Sequence, residues 1–229
     1  MTAFQLVALI LTAIWLVMVA VRFRRSNVVL IGGLFVIGLF TLTALILGKV
    51  TPAELGLGLP TSWLTTILIA LAGLAVILAY SPIADRLASR WFKKAPTLQA
   101  FGVIQQSLPK LIIGILVAWV LGGFLEELVA RGIVLNSVEA MLTPSLSAPV
   151  ADGIAVCVAA AGAGMMHFYQ GPRAMAIIAQ LSILFGLLFV VSGHNLWAVM
   201  ICHGLYDTIA FVRFATKKSK YANMDREQT

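Results

Sequence analysis

The sequence predicts an all-α protein, a polytopic bundle of about seven transmembrane helices. Three observations carry that prediction. First, the 229 residues are 61% hydrophobic and only 11% charged, with a mean hydropathy of +1.00, a composition typical of membrane chains and unlike soluble domains. Second, runs of about 20 mostly apolar residues, the length a helix needs to cross a bilayer, recur along the chain. Third, the basic residues fall in alternate loops, as they do when Lys and Arg collect on the cytoplasmic side.

There is room for seven or eight spans, and seven can be laid out: Phe4–Val21, Val28–Leu47, Trp63–Tyr80, Leu111–Leu135, Val150–His167, Ala174–Val191 and Leu196–Phe214. The first has no basic segment before its long apolar run and no small-residue cleavage site before Arg22, so it is read as a span rather than a signal peptide. Arg22, Arg24 and Arg25 follow span one; Arg86, Arg90, Lys93, Lys94 and Lys110 separate spans three and four. Arg173 follows span five, and Arg213, Lys217, Lys218, Lys220 and Arg226 follow span seven. Fourteen of the sixteen basic residues thus lie on one side, which predicts an outside N-terminus, a cytoplasmic C-terminus and location in the cell membrane. The net charge of +7 is accounted for by this topology. No nucleic-acid partner is expected, because a basic flank beside a membrane meets anionic headgroups.

The expected organisation is a set of N-terminal spans with a connector over 1–110, a transmembrane core over 111–214 and a basic, polar tail over 215–229. Within the connector, Ser81–Ala100 spaces Ile83, Leu87, Trp91 and Phe92 among charges, which suits either an amphipathic helix on the inner surface or a solvated loop. Cys157 and Cys202 fall inside predicted spans and read as small apolar residues rather than a disulfide pair. Trp63 and Trp197 lie near span ends and read as interfacial anchors.

The polar residues inside the spans carry the chemistry. Glu126, Glu127 and Arg131 sit in the fourth apolar run, where each ionised side chain costs about 2.5–3.5 kcal/mol on insertion scales. Such a cluster is either a buried ion-pair network between helices or a functional site. Glu127 and Arg131 are four residues apart and share a helix face in the favourable order for an ion pair, while Glu126 points about 100° away. All three histidines are in the C-terminal part: His167 at the end of span five, His194 beside Asn195 at a span boundary, and His203 within span seven. His203 and Asp207 are again four apart and share a face. His194 is expected at the outer boundary, exposed and outside the chemistry.

Taken in order, Glu126-Glu127-x-x-x-Arg131, His167 and His203-x-x-x-Asp207 resemble the motifs of the CAAX prenyl protease and bacteriocin-processing family of intramembrane endopeptidases, whose pattern is Glu-Glu-x-x-x-Arg, Phe-x-x-x-His and His-x-x-x-Asn/Asp. Ser192–Trp197 also looks like that family's lead-in to its last motif. The resemblance covers about residues 111–214. It departs at Ala163, where the family has Phe, and Phe168 or Phe185 is expected to fill the space.

The resemblance implies a peptidase acting on a membrane-associated or lipid-modified peptide or protein within the lipid bilayer. In that reading Glu126 is the general base, His167 orients the water, and His203 stabilises the developing oxyanion. Asp207 fixes the tautomer and orientation of His203, or binds directly where a metal is present, while Arg131 holds Glu127. Glu126, His167 and His203 would also supply the three protein ligands of a divalent metal such as zinc, and the family equally permits no metal. Two rival classes remain: a catalytically silent scaffold, which Ala163 favours, and a proton-coupled transporter, which lacks its usual inverted repeat in this sequence.

Overall fold

The computed structural model describes residues 1–22 and 27–227. Arg24 and Arg25 lie outside the described residues. The chain is a bundle of helices with no strand among the described residues, and seven of them are long and apolar enough to cross a membrane. We number these α1 (Ala3–Arg22), α2 (Asn27–Ile46), α3 (Trp63–Trp91), α4 (Leu108–Leu142), α5 (Ala148–Met166), α6 (Pro172–Val191) and α7 (Leu196–Glu227). Short 3₁₀ turns at Ala53–Leu55, Gln99–Gln105 and Phe168–Gln170 join them. The protein is thus a multi-pass membrane protein.

Local sequence explains where the helices start. Ser62 has extended backbone and its hydroxyl accepts from the Thr65 amide at 3.2 Å, capping α3. Pro149 and Pro172 occupy first-turn positions of α5 and α6, where a missing N–H leaves nothing unsatisfied. Within the spans, buried hydroxyls bond the carbonyl one turn back: Thr12 to Ala8 and Thr41 to Ile37, each at 2.8 Å. Lipid offers these groups no partner, so the helix itself must.

Two boundaries differ from expectation. Ser81–Trp91 is neither a separate surface helix nor a loop: it prolongs α3, which passes through Pro82 without ending. Cross-helix polar contacts tie this extension down. Tyr80 donates to Gln180 at 3.1 Å, Ser81 and Tyr206 hydroxyls are 3.1 Å apart, and Arg173 donates two hydrogen bonds to Asp85 at 2.9 and 2.8 Å. At the other end of the core, the helix of the last span continues into the expected tail as far as Glu227.

Small residues set the packing of the C-terminal half. Ala151, Ala155, Ala159 and Ala163 are all buried and recur every fourth residue on α5, a stripe that lets neighbouring backbones approach closely. The helices run so that His167, Arg173 and Lys110 lie at one end of the bundle, here termed the basic end, while Glu139, Asp152 and His194 lie at the opposite end. Cys157 is exposed and Cys202 buried, and both are free thiols.

Candidate active site

The site is built on α4, which is not an ordinary helix. It is α-helical over Leu108–Ala118, π-wound over Trp119–Glu126 and Leu128–Leu135, and α-helical again over Asn136–Leu142. Windings of this kind are rare and concentrate at functional sites. Glycine permits the close approach that follows. A side chain at Gly204 would fall on the Trp119 ring, and one at Gly122 would meet the Asp207 carboxylate. Trp119 Nε1 donates to the Thr208 hydroxyl at 3.0 Å, locking α4 against α7.

That approach brings Glu127 to His203. His203 Nδ1 and Glu127 Oε1 are 2.6 Å apart, across two helices. Arg131 Nη1 donates to the same Oε1 at 3.1 Å and lies 3.0 Å from Oε2, so the expected Glu127–Arg131 ion pair forms. Arg131 Nη2 in turn donates to the Ser182 carbonyl at 2.7 Å and to its hydroxyl oxygen at 2.6 Å, reaching α6. Glu127 is fully buried and Arg131 is 2% exposed. Three helices contribute hydrogen bonds to this deep charge pair, while Glu127 Oε2 and Arg131 Nε are buried without a hydrogen-bond partner among the described residues.

Phe185 closes the cluster from the α6 side. Its ring stacks on the His203 imidazole, with centroids 4.9 Å apart, and lies 5.6 Å from the Arg131 guanidinium carbon. Phe185 is buried whereas Phe168 is 40% exposed, so of the two candidates to occupy the space left by Ala163, Phe185 is the one that packs into the site. Ala163 has a different use: its carbonyl lies 3.0 Å from His167 Nδ1. This fixes the ring at the end of α5 and leaves Nε2 available.

The carboxylates flanking this cluster are arranged differently from each other. Asp207 Oδ2 is 3.5 Å from His203 Nε2. The residue that orients the His203 ring by a short hydrogen bond is therefore Glu127, not Asp207 as the sequence suggested; the shared helix face is real, but the cross-helix partner is closer. Glu126 is half-buried and makes no hydrogen bond among the described residues. It directly precedes Glu127 on α4, the helix that meets the Asp207 carboxylate at Gly122. The structure thus brings Glu127, Arg131 and His203 into direct contact with Asp207 beside the His203 ring, while Glu126 and His167 share no hydrogen bond or ion pair with them among the described residues.

Sequence reasoning missed Ser182 and Tyr169. Ser182 looks like an ordinary span residue. Tyr169 lies in the turn after α5; its ring is 6.0 Å from that of His167 and nearly parallel, and Gln170 Nε2 donates to its hydroxyl oxygen at 2.7 Å. Burial pushes the Tyr169 phenol up to about 12, and the negative charges of Glu126 and Asp207 add to the shift while the Gln170 hydrogen bond opposes it. It therefore stays a neutral donor throughout the physiological range. Gln170 is itself buried, and its carbonyl accepts from the Thr97 amide at 2.9 Å, which anchors the turn to the segment after α3.

Glu126, His167 and His203 do not converge as a metal cage: among the described residues, the trio whose ligand atoms lie within 4.8 Å of one another is Glu139, Asp152 and His194. Other cavities lie outside the cluster; one of about 310 Å³ between α2 and α4 is lined by apolar residues such as Phe35, Phe124 and Leu128.

Residues 108–209 match the family model described as type II CAAX prenyl endopeptidase Rce1-like. This supports the resemblance read from the motifs, over the same part of the chain, and supports a protease in general. Neither the curated proteins nor the solved structures contain a significant match.

Proposed function

Residues 108–209 belong to the Rce1-like family of type II CAAX prenyl endopeptidases, and from that premise we propose that the protein is an intramembrane endopeptidase that hydrolyses peptide bonds of membrane-associated or lipid-modified peptides. The observation that carries this reading is the junction of two motifs from separate helices, where Glu127 meets His203 at 2.6 Å and Asp207 lies 3.5 Å from the same imidazole. A structural ion pair alone would need Glu127 and Arg131 and nothing more.

Glu126 takes a proton from water, and the hydroxide adds to the scissile carbonyl carbon. A positioned base of this kind contributes about 10²–10⁴-fold. His167, with Nδ1 engaged by the Ala163 carbonyl, offers Nε2 to orient that water. Charge developing on the carbonyl oxygen needs a donor fixed in advance. His203 is held through Nδ1 by Glu127 and stacked on Phe185, so Nε2, beside Asp207, is the donating atom. Collapse of the tetrahedral intermediate returns the proton from Glu126 to the leaving amine. Glu127 and Arg131 act through His203 and are positioning residues.

The positions of the basic residues support an outside N-terminus and a cytoplasmic C-terminus in the cell membrane. With that orientation His167 and the Tyr169 turn lie toward the cytoplasm, and substrate would approach from the lipid or the cytoplasmic face.

Cleavage of membrane-tethered and CAAX-type peptides by detergent-purified protein tests the proposal, run beside Glu126→Gln and His203→Ala with metal content recorded. Turnover by the natural chain that is lost in both variants supports it, and metal content that tracks activity would assign a metal to the site. No cleavage by any form overturns it in favour of a silent scaffold.

A further inference from the structure

We propose that Glu139, Asp152 and His194 form a second site, distinct from the one above, that binds a divalent transition cation of the zinc class and clamps three elements together at the end of the bundle opposite the basic end. Glu139 comes from the last turns of α4, Asp152 from the first turns of α5, and His194 from the short loop between α6 and α7. Their ligand atoms all lie within 4.8 Å of one another, and His194 Nε2 is already 2.9 Å from Glu139 Oε2.

Three features distinguish this group from a chance surface cluster. No Lys or Arg pairs with either carboxylate among the described residues; the one ionic contact is His194 with Glu139. Asp152 Oδ1 is buried and has no hydrogen-bond partner among the described residues, a state that normally signals a missing ion or water. The three residues are each only part-exposed, so an unbalanced pair of carboxylates carries a desolvation penalty that a cation would offset.

The donor set selects the cation. Two carboxylates and a neutral imidazole carry two negative charges, which a divalent ion neutralises. An imidazole ligand disfavours the hard calcium and magnesium ions, and the lack of thiolate leaves nitrogen and oxygen donors suited to zinc with water at the open position. The carrier of the imidazole is held for this geometry. His194 has a φ of +59°, the one non-glycine residue in the left-handed region among those described. Its amide donates to the Phe189 carbonyl at 2.9 Å, and the next residue but one, Leu196, donates to the Gly56 carbonyl at 2.9 Å. The edge of the Phe189 ring packs on the imidazole, with centroids 5.0 Å apart. Binding would take up the lone pair of His194 Nε2, the nitrogen that faces Glu139, and so release any proton that nitrogen carries.

The test uses full-length protein in detergent micelles, and each variant is compared with the parent so that any metal held elsewhere is subtracted. Zn²⁺ is added after chelation and dialysis, and bound metal is measured by plasma mass spectrometry and by titration calorimetry. The expected result is about one Zn²⁺ per chain, a melting temperature that rises with Zn²⁺, and loss of both in Asp152→Asn and His194→Asn. Asparagine tolerates the left-handed conformation of residue 194, so that variant removes the ligand without disturbing the loop, and helicity by circular dichroism verifies it. No Zn²⁺ bound by the parent, or equal binding by a folded His194→Asn, overturns the proposal. The parent arm is decisive by itself, and Asp152→Asn stands in should His194→Asn fail to fold. The peptidase reading can fail while this site binds zinc, and the reverse also holds.

Discussion

Two ionisable clusters occupy this bundle, and they solve the problem of charge in a membrane differently. The one at mid-depth carries its own cation: Glu127 meets Arg131 and His203 at 3.1 and 2.6 Å, and Ser182 satisfies the far side of the guanidinium. The one at the bundle end, Glu139 with Asp152 and His194, contains no Lys or Arg among the described residues. Depth accounts for the contrast. In the hydrocarbon a charge must be neutralised by the chain itself, whereas at the end of a span water and dissolved ions can reach the site and complete it.

The comparison can be broken most sharply at Glu126. Glu126→Gln is expected to lower peptide turnover by about 10²–10⁴-fold with the melting temperature unchanged, as measured by peptide cleavage and detergent-phase melting on one preparation. Unchanged turnover would mean that the central cluster is structural, like its counterpart. Next in size is Arg131→Met, which leaves Glu127 uncompensated. It should cost about 3–5 kcal/mol, read as a large fall in melting temperature, and Glu127→Gln in the same chain should recover part of it. A smaller effect is expected from Gly204→Ala, because the added methyl meets the Trp119 ring. A loss of about 1–3 kcal/mol with a parallel drop in turnover would locate the helix contact that positions His203. The smallest is Tyr169→Phe, which removes a hydroxyl hydrogen-bonded to Gln170; we expect about 0.5–1.5 kcal/mol. Because that phenol is held near 12, it is neutral on both sides of pH 10. The activity profile should therefore keep the same shape in both proteins, which a pH series from 6 to about 10 would measure.

Much of the fold was legible because lipid imposes a simple rule: a span needs about 20 apolar residues, and all seven apolar runs became helices of at least that character. The ends were harder. Ser81–Trp91 is charge-rich and contains Pro82, features that read as a break, yet Tyr80, Ser81 and Asp85 find partners on α6 and α7 that no local pattern announces. The π winding of α4 left no trace in hydropathy because it changes the hydrogen-bond register, not the side chains. In the site, spacing of four revealed Glu127–Arg131 and suggested His203–Asp207, since both lie on single helices. The closer Glu127–His203 contact spans 76 residues and becomes visible once α4 and α7 are packed. The His194–Glu139 contact is equally invisible in the sequence, because 55 residues separate its partners.

The Arg131 bridge has a consequence for how the protein is made. The α4 span reaches the insertion machinery carrying Glu126, Glu127 and Arg131, while Ser182 lies 51 residues beyond Arg131 and His203 lies 76 residues beyond Glu127. At about 5–20 residues per second, the last of these partners emerges about 4–15 s later. Until then the intrahelical Glu127–Arg131 pair is the available compensation, so α4 must either wait beside the translocon or enter the bilayer as a costly intermediate. Truncation before α7 should therefore expose a chain whose fourth span is retained poorly, even though hydropathy alone marks it as a good one.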